Sequence, residues 1–501
     1  MESFTGRIKE FFHLHRTALF LNAVVCLLCY GHTIFSQNVQ IDTEHAINHP
    51  GVTMQWETIG RAGLLYTKKL LGLLNYNPYM SGAVFVGSFI FLGSLLMFFC
   101  WNFSDKNENY PYAFLGILFS TCPVFMTQFY FGLQRVEVVF GMIYAVISVY
   151  SLCQILFMKQ RKVYWYILYL LFGIWSFASY QACVSFYITL CILAYLLDIL
   201  KNSDKNWKLY LKNIILLIVG LTVVYISYTF LARLTMVNSY YMSELIMWGK
   251  IPVKESIARI LDYMKCMLNW YTPNYISAYP LGCICVIVLM ITFFITKKKN
   301  FVMLGIGILG LMMAPFLMSI YIGDRIVDRT QFAQPLTAAA ACFLTWGVIS
   351  EFRKMIPVKR LSMFAGVIII WISMSTIFRV EYTEDIRYQE DRMVAQKIAN
   401  DLYDIDGAKD LPVVFIGTRQ IQLNEACLQY DMYGMSYFQW DYGVSWRILG
   451  FMETMGIHFE DGSQYREKAV KTAKHMKSYP EKGYIKVKKN YVIVKLSDVE
   501  N

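Results

Sequence analysis

Long apolar segments separated by short polar ones make up most of the first 378 residues of the chain. Each is close to the length that a helix needs to cross the hydrocarbon core of a bilayer, about 20 residues. The pattern predicts a polytopic α-helical membrane protein with eleven transmembrane helices, at residues 17–35, 80–101, 111–126, 136–157, 163–177, 181–200, 214–232, 279–295, 301–320, 332–349 and 361–377.

Two polar intervals, residues 36–79 and 233–278, are long enough to hold structure of their own. Each contains an amphipathic stretch, at 64–76 and at 254–271, with apolar residues at helical spacing opposite charged ones such as Lys68. A helix of this kind lies along a bilayer surface and does not cross it. We therefore predict two interfacial helices in loops on the outer face of the membrane.

The periodicity changes after residue 378, where shorter amphipathic segments replace the long apolar ones. Helices and strands alternate there, at 384–403, 412–417, 446–455, 464–476 and 484–496, the last of these being a hairpin. About 120 residues are enough for a small core. We predict a transmembrane domain of residues 1–378 and a soluble α/β domain of residues 379–501.

Composition supports the membrane assignment, since 56% of the residues are hydrophobic and the mean hydropathy is +0.41. The net charge of +11 comes largely from basic clusters in alternate intervals, at 7–16, 159–162, 201–212, 297–299 and 353–360. This is the positive-inside pattern, so we place the N-terminus in the cytoplasm and the α/β domain outside, and predict no nucleic-acid partner. No cleavage site follows the first apolar segment, which we expect to be retained as a helix.

The 12 cysteines lie mostly within apolar segments, where they pack as small hydrophobic residues. Cys26 and Cys29 have C-x-x-C spacing but no histidine cluster or second pair, so we predict no metal site. The chain also lacks the phosphate-binding glycine motifs of nucleotide-binding proteins. We predict no cofactor and leave the use of a divalent metal ion open.

Candidate catalytic residues follow the first apolar segment, where Asp42 and Glu44 lie in a polar stretch. Nucleotide-activated sugars are not present outside the cytoplasm, so a transferase there takes its sugar from a lipid phosphate. A carboxylate would then deprotonate the acceptor hydroxyl as the phosphate leaves. We assign Asp42 as the base because it comes first, with Glu44 supporting it, although the spacing alone allows either order.

Arginines in the outer intervals are suited to the leaving phosphate, because a guanidinium binds phosphate through paired hydrogen bonds. Four are candidates: Arg61, Arg135, Arg325 and Arg329. Polar residues beside them are candidates for binding substrate: Glu57, Tyr180, Gln181, Asp324 and Asp328. Ordinary ion pairs explain several of these equally well, for example Glu57 with Arg61, Glu137 with Arg135, or the charges of the 323–329 turn with one another.

Several short motifs resemble the bacterial Gtr-type glucosyltransferase family of the GT-C class of membrane glycosyltransferases. They are Asp42-Thr43-Glu44, Gly60-Arg61, Ser179-Tyr180-Gln181-Ala182, Pro412-Val413-Val414-Phe415-Ile416-Gly417 and Phe438-Gln439-Trp440-Asp441. The resemblance implies a GT-C helix bundle in the bacterial cytoplasmic membrane, an undecaprenyl-phosphate glucose donor and a surface polysaccharide acceptor, such as O-antigen. It also implies that an acid of the first loop is the base.

Other functions fit the same location. A transporter or flippase of lipid-linked saccharides would carry charges near the bilayer midplane, whereas the acids here cluster outside the apolar segments. A polymerase or ligase of lipid-linked saccharides would use a similar outer-face site. A surface-assembly scaffold would leave the charged outer loops without a role.

Overall fold

The computed structural model describes residues 4–51, 55–104, 106–202, 206–236, 244–269, 278–296 and 299–498. Parts of the predicted outer loops, at 52–54, 237–243 and 270–277, lie outside the described residues, as do the lysines at 297–298. The chain is mostly helical, with α-helices Phe4–Leu14, Arg16–Tyr30, Thr43–Asn48, Ala62–Leu70, Pro78–Phe103, Tyr112–Ser120, Val124–Phe129, Arg135–Leu156, Val163–Ser179, Cys183–Lys201, Trp207–Ala232, Val253–Leu268, Ala278–Ile295, Phe301–Met313, Leu317–Ile322, Ala333–Ile349, Ile356–Tyr403, Ser445–Glu453 and Arg466–Ala473.

Eight helices among the described residues are long and apolar enough to cross a membrane. They are Arg16–Ile34, Pro78–Phe103, Arg135–Leu156, Cys183–Lys201, Trp207–Ala232, Ala278–Ile295, Phe301–Ile322 and Ile356–Tyr403. Two shorter apolar helices, Val163–Ser179 and Ala333–Ile349, accompany them. The prediction of a helical membrane protein is thereby supported, and ten of the eleven predicted segments correspond to these helices.

The remaining predicted segment, 111–126, is not one helix. It forms Tyr112–Ser120, and a second short helix, Val124–Phe129, follows. Pro123 lies between them, where its missing N–H and its ring stop a helix from continuing. The apolar run concealed this break because hydropathy does not report helix continuity.

The predicted interfacial helix at 64–76 is shorter and more deeply embedded than its pattern indicated. It spans Ala62–Leu70, and Lys68, expected on the polar side, is buried. Its Nζ lies 2.8 Å from Glu137 and 2.7 Å from the carbonyl of Leu133. The assignment of Lys68 to the polar, solvent-facing side was wrong, because a buried carboxylate on a distant helix supplies the partner that the lysine otherwise finds in water.

The second amphipathic helix, Val253–Leu268, buries only part of its predicted apolar stripe, which was Ile257, Ile260, Leu261, Met264, Met267, Leu268 and Tyr271. Ile260, Tyr263 and Met267 are buried, whereas Ile257 and Leu261 are exposed. The core therefore contacts a narrower face than the apolar pattern indicated.

One helix of 48 residues, Ile356–Tyr403, joins the bundle to the terminal α/β part. We call it the long terminal helix. Its first half contacts the bundle core, which includes Ile369 and Ile377, and its second half contributes Val394 and Ile398 to the second core. The domain boundary predicted at residue 378 falls inside this continuous helix.

The part after the long terminal helix, residues 404–498, is called the terminal domain here. Its three-stranded sheet has the order β1-β3-β2, with β1 at Val413–Ile416, β2 at Ile485–Val487 and β3 at Val492–Lys495. β1 pairs in parallel with β3, and β2 and β3 form the predicted antiparallel hairpin. The sequence predictions of a small α/β fold, a buried strand and a hairpin are confirmed.

The two ends of the bundle differ in composition. Arg7 Nη1 donates to Asn102 at 2.9 Å, and Lys359 Nζ lies 3.4 Å from the carbonyl of Asn109, so several basic segments gather at one end. The Arg16–Tyr30 helix runs from this end to the opposite one, where Asp42 follows it. The acidic segment that sequence analysis selected thus lies at the end away from these basic residues.

Candidate functional site

A cavity of about 470 Å³ lies where the bundle meets the terminal domain. It is within the size range of small-molecule sites. Four of the predicted site residues, Asp42, Arg61, Tyr180 and Arg329, line it together. The remaining lining residues are Ile41, Gln55, Trp56, Ile59, Phe131, Leu133, Gln134, Met432, Trp440, Asp441 and Arg447.

Asp42 presents a carboxylate to this cavity from a strained backbone position. Its φ is 67°, in the left-handed region that residues other than glycine seldom adopt. Its side chain is 42% exposed, and Oδ1 lies 3.3 Å from Nη1 of Arg447. Strained residues cluster at functional sites, where the surrounding structure holds them in place.

Glu44 has the opposite surroundings. Its side chain is buried, with Oε1 at 2.8 Å from Arg447 Nη1 and Oε2 accepting a hydrogen bond from the Tyr437 hydroxyl at 2.9 Å. Desolvation by burial raises the pKa of this carboxyl, and Arg447 and Tyr437 oppose the shift only in part. Glu44 therefore holds Arg447 beneath the cavity, while Asp42 faces the space where a substrate would lie.

Arg447 of the terminal domain connects three carboxylates. Besides Asp42 and Glu44 it contacts Asp441, whose Oδ2 lies 2.6 Å from the Arg447 Nε. Burial alone would lower the pKa of Arg447, but Glu44, Asp441 and Asp42 raise it above its ordinary value. Arg447 was not among the residues predicted from the sequence. The nearest residue in a predicted motif was Asp441, at the end of Phe438-Gln439-Trp440-Asp441.

A tight turn between two helices positions Arg61. Its Nε donates to Gln181 Oε1 at 3.0 Å, and its guanidinium lies 4.5 Å from the ring centroid of Tyr180. Gly60 before it has φ +80°, and a Cβ there would lie 3.1 Å from the Tyr228 hydroxyl. Glycine therefore lets the chain turn so that Arg61 reaches the cavity.

Arg329 reaches the same cavity from the turn after the Leu317–Ile322 helix. Its guanidinium lies 5.3 Å from the ring centroid of Phe131. Among the residues that the structure describes, neither Arg329 nor Arg61 has a carboxylate within 4.0 Å. Two cations thus face one cavity without an ion-pair partner, an arrangement that favours binding of an anion.

The other charges of the 323–329 turn lie outside the cavity. Asp324 pairs with Arg259 at 2.6 Å. Asp328 lies 3.4 Å from Arg325 and accepts a hydrogen bond from the Tyr430 hydroxyl at 2.9 Å. Arg325 does not line the cavity, and Asp328 links the turn to the terminal domain.

Three further predicted residues also lie apart from the cavity wall. Arg135 is buried at a smaller cavity of about 20 Å³, with its Nε unpartnered among the described residues. Glu57 is exposed, and Arg61 contacts Gln181 and not Glu57. Gln181 itself does not line the cavity but binds Arg61, which does. Glu137, which the sequence allowed to pair with Arg135, pairs with Lys68.

An apolar groove of about 700 Å³ begins where this cavity ends. Gly60 lines the groove and the next residue, Arg61, lines the cavity. The groove walls are almost wholly apolar and come from three helices, with residues such as Leu70, Trp175 and Leu231. The same turn therefore borders a charged cavity and a surface suited to a hydrocarbon chain.

The described residues include no group of three or more side chains suited to holding a metal ion. All 12 cysteines are free, and most are buried. The polar side chains that line the cavity are carboxylates, guanidiniums and amides, with aromatic rings beside them.

The apolar helices and the charged cavity are those of a membrane protein with a polar site at one end of its helix bundle. The chain belongs to the GtrII glucosyl transferase family, whose model matches residues 31–349, more than half of its length. The protein is therefore a glycosyltransferase of the membrane. A comparison with curated proteins found no match. Asp42, Arg61, Tyr180 and Arg329 lie within the matched residues, and Asp441 and Arg447 lie beyond them.

Proposed function

We propose that this protein transfers a hexosyl group, glucosyl in keeping with its family, from a polyprenyl-phosphate sugar to a glycan. The acceptor is a surface polysaccharide or a lipid-linked precursor of one. Transfer takes place on the outer face of a bacterial cytoplasmic membrane, with the N-terminus in the cytoplasm and the terminal domain outside. The observation that carries the proposal is that Arg61 and Arg329, which have no carboxylate within 4.0 Å among the described residues, line the same cavity as Asp42.

The apolar groove beside Arg61 supports a lipid carrier over a soluble sugar donor. A phosphate bound by Arg61 and Arg329 would place its attached isoprenoid chain at the turn that Gly60 shares between cavity and groove. The groove would pack against that chain in place of lipid tails, which are equally apolar, so it would orient the chain and would not draw it out of water. The chain would anchor the donor, and the arginines would fix its phosphate.

In the proposed reaction, Asp42 accepts the proton of an acceptor hydroxyl as that oxygen attacks the anomeric carbon. The new glycosidic C–O bond forms while the bond between that carbon and the phosphate oxygen breaks. The electron pair leaves with the phosphate, whose increased charge Arg61 and Arg329 stabilise. Arg447 keeps the Asp42 carboxylate oriented, and Glu44 holds Arg447.

The test compares wild type with the Asp42→Asn variant in membranes supplied with radiolabelled polyprenyl-phosphate glucose and the host glycan. We expect transfer to fall about 100-fold or more, because a positioned base contributes about that much. Asp410→Asn, an exposed aspartate of the terminal domain, is the matched control and should keep wild-type activity. Wild-type inactivity with every lipid-phosphate sugar tested would overturn the donor assignment, and full activity of Asp42→Asn would overturn the assigned base.

A further inference from the structure

A turn of the terminal domain brings Trp440 and Asp441 to the cavity and leaves the next residue, Tyr442, exposed beside them. Asp441, Tyr442 and Gly443 have consecutive left-handed φ values of 49°, 60° and 69°. A Cβ on Gly443 would lie 2.1 Å from the carbonyl oxygen of Gly417, at the end of β1. The turn is therefore held closely against the sheet, in a conformation that residues other than glycine rarely adopt.

This conformation separates two neighbouring side chains. Asp441 lines the cavity and contacts Arg447, whereas Tyr442 is 84% exposed. Trp440 before them lines the cavity, and its indole nitrogen is buried without a partner among the described residues. The backbone thus presents alternating polar and aromatic groups at one edge of the cavity.

Trp446 adds a second exposed ring beside this turn. Its side chain is 51% exposed, and the guanidinium of Arg447, a cavity residue, lies 4.5 Å from its ring centroid. Large aromatic rings combine an apolar face with a polar edge, the combination that suits the C–H face and the hydroxyls of a pyranose. Trp446 and Tyr442 thus expose two such rings next in the chain to the cavity residues Arg447 and Asp441.

The location of this surface decides which saccharide it would take. Arg61, Arg329 and the apolar groove belong to the bundle, so the phosphate and lipid of the donor would occupy that wall. The aromatic residues belong to the terminal domain, where Trp440 lines the cavity and the ring of Trp446 contacts the cavity residue Arg447. Tyr442 and Trp446 are exposed, so a water-soluble glycan can reach them, and Arg447 connects this side of the cavity to Asp42.

We propose that Trp446 and Tyr442 form the acceptor subsite, where their rings pack against pyranose units of the glycan that receives the sugar. Asp441 binds hydroxyls of the same glycan, and Arg447 joins this subsite to Asp42. The inference rests on the proposed function and extends it, because it assigns acceptor binding to the terminal domain.

Kinetics with the acceptor and the donor varied separately test the proposal. We expect Trp446→Ala to raise the KM for the acceptor by about tenfold, and Tyr442→Ala by about threefold, with the donor KM unchanged. Trp446→Phe keeps a ring and should recover most of the affinity. Tyr403→Ala removes an exposed tyrosine at the end of the long terminal helix, where its ring stacks on Phe459 of the terminal domain, and should match wild type.

A binding measurement without donor separates this proposal from the transferase assignment. The probe is the oligosaccharide released from the host surface polysaccharide, followed by saturation-transfer NMR with the full-length protein in nanodiscs. Binding to wild type and its loss in Trp446→Ala would support the subsite even if the sugar donor proved to be different. Unchanged oligosaccharide binding in both alanine variants, or an equal rise in donor and acceptor KM, would overturn it.

Discussion

Asp42 and Glu44 are two residues apart in the sequence but have different tasks because their surroundings differ. Asp42 is partly exposed at the cavity, and Glu44 is buried against Arg447 and Tyr437. A base must reach its substrate, whereas a buried carboxylate with two partners can only position other groups. This difference favours Asp42 as the base, a choice that the spacing alone left open.

The pKa of Glu44 gives a test at the same scale. Burial raises this pKa above its ordinary value of 4.5, so the folded state binds the proton more readily than the unfolded state. Above the raised pKa, keeping Glu44 ionised in the folded protein therefore lowers the free energy of unfolding. This loss disappears as the pH falls towards 4.5 and the carboxyl is protonated. Glu44→Gln lacks this titration, so the melting temperature of wild type relative to Glu44→Gln should decrease as the pH rises.

Paired thermal melts of the two proteins in detergent, between about pH 5 and pH 8, measure this difference. Asp410→Asn, which changes an exposed acid, should keep a constant offset from wild type over the same range. If the melting temperature of wild type instead rises relative to that of Glu44→Gln as the pH rises, the ion pair with Arg447 outweighs burial.

The local sequence pattern identified site residues only where a charged residue lies next to an apolar segment. Asp42, Arg61 and Arg329 each stand out as charges next to such segments, and the structure places them at one cavity. Arg447 is 403 residues from Glu44 and sits in an ordinary amphipathic helix. Its role depends on the folded packing of two domains, which no local spacing encodes.

At the scale of elements, the Ala62–Leu70 helix is held in place by a buried ion pair. Lys68 and Glu137 are both almost inaccessible and lie 2.8 Å apart. The helix begins directly after Arg61, so its position sets where that guanidinium lies. The amphipathic pattern of this helix predicted that Lys68 faces water at the bilayer surface. The pattern could not show that Glu137, on a distant helix, would pair with Lys68.

Lys68→Ala should destabilise the protein by about 3–5 kcal/mol, since it leaves the Glu137 carboxylate buried without its partner. The double variant Lys68→Met with Glu137→Leu replaces both charges by apolar groups of similar size and should recover most of that loss. Thermal unfolding in detergent measures both. Lys69→Ala, at the exposed neighbouring position, is the control. An equally unstable double variant would show that the loss comes from packing and not from the unpaired charge.

Over the whole molecule, buried contacts join the first loop, the long terminal helix and the terminal domain. Arg387 of that helix donates to the carbonyl of Val39 at 2.8 Å and pairs with Glu384 and Asp391. Asp391 accepts hydrogen bonds from the Ser436 hydroxyl at 2.5 Å and the backbone N–H next to it. Hydropathy predicted the helix bundle, and periodicity predicted the sheet of the terminal domain. The contacts by which Arg387 connects these two parts appear only in the folded structure.

Removing that guanidinium should therefore loosen the terminal domain as well as the bundle. Arg387→Met leaves two buried carboxylates without their cation, and we expect a loss of about 3–5 kcal/mol. Limited proteolysis should then cut within residues 404–498 at temperatures where wild type resists. Lys397→Met, which breaks an exposed pair with Asp401 on the same helix, should change stability by less than about 1 kcal/mol. If Arg387→Met resists unfolding and proteolysis as well as Lys397→Met does, the terminal domain is held to the bundle by other contacts, and the cavity between them does not depend on this arginine.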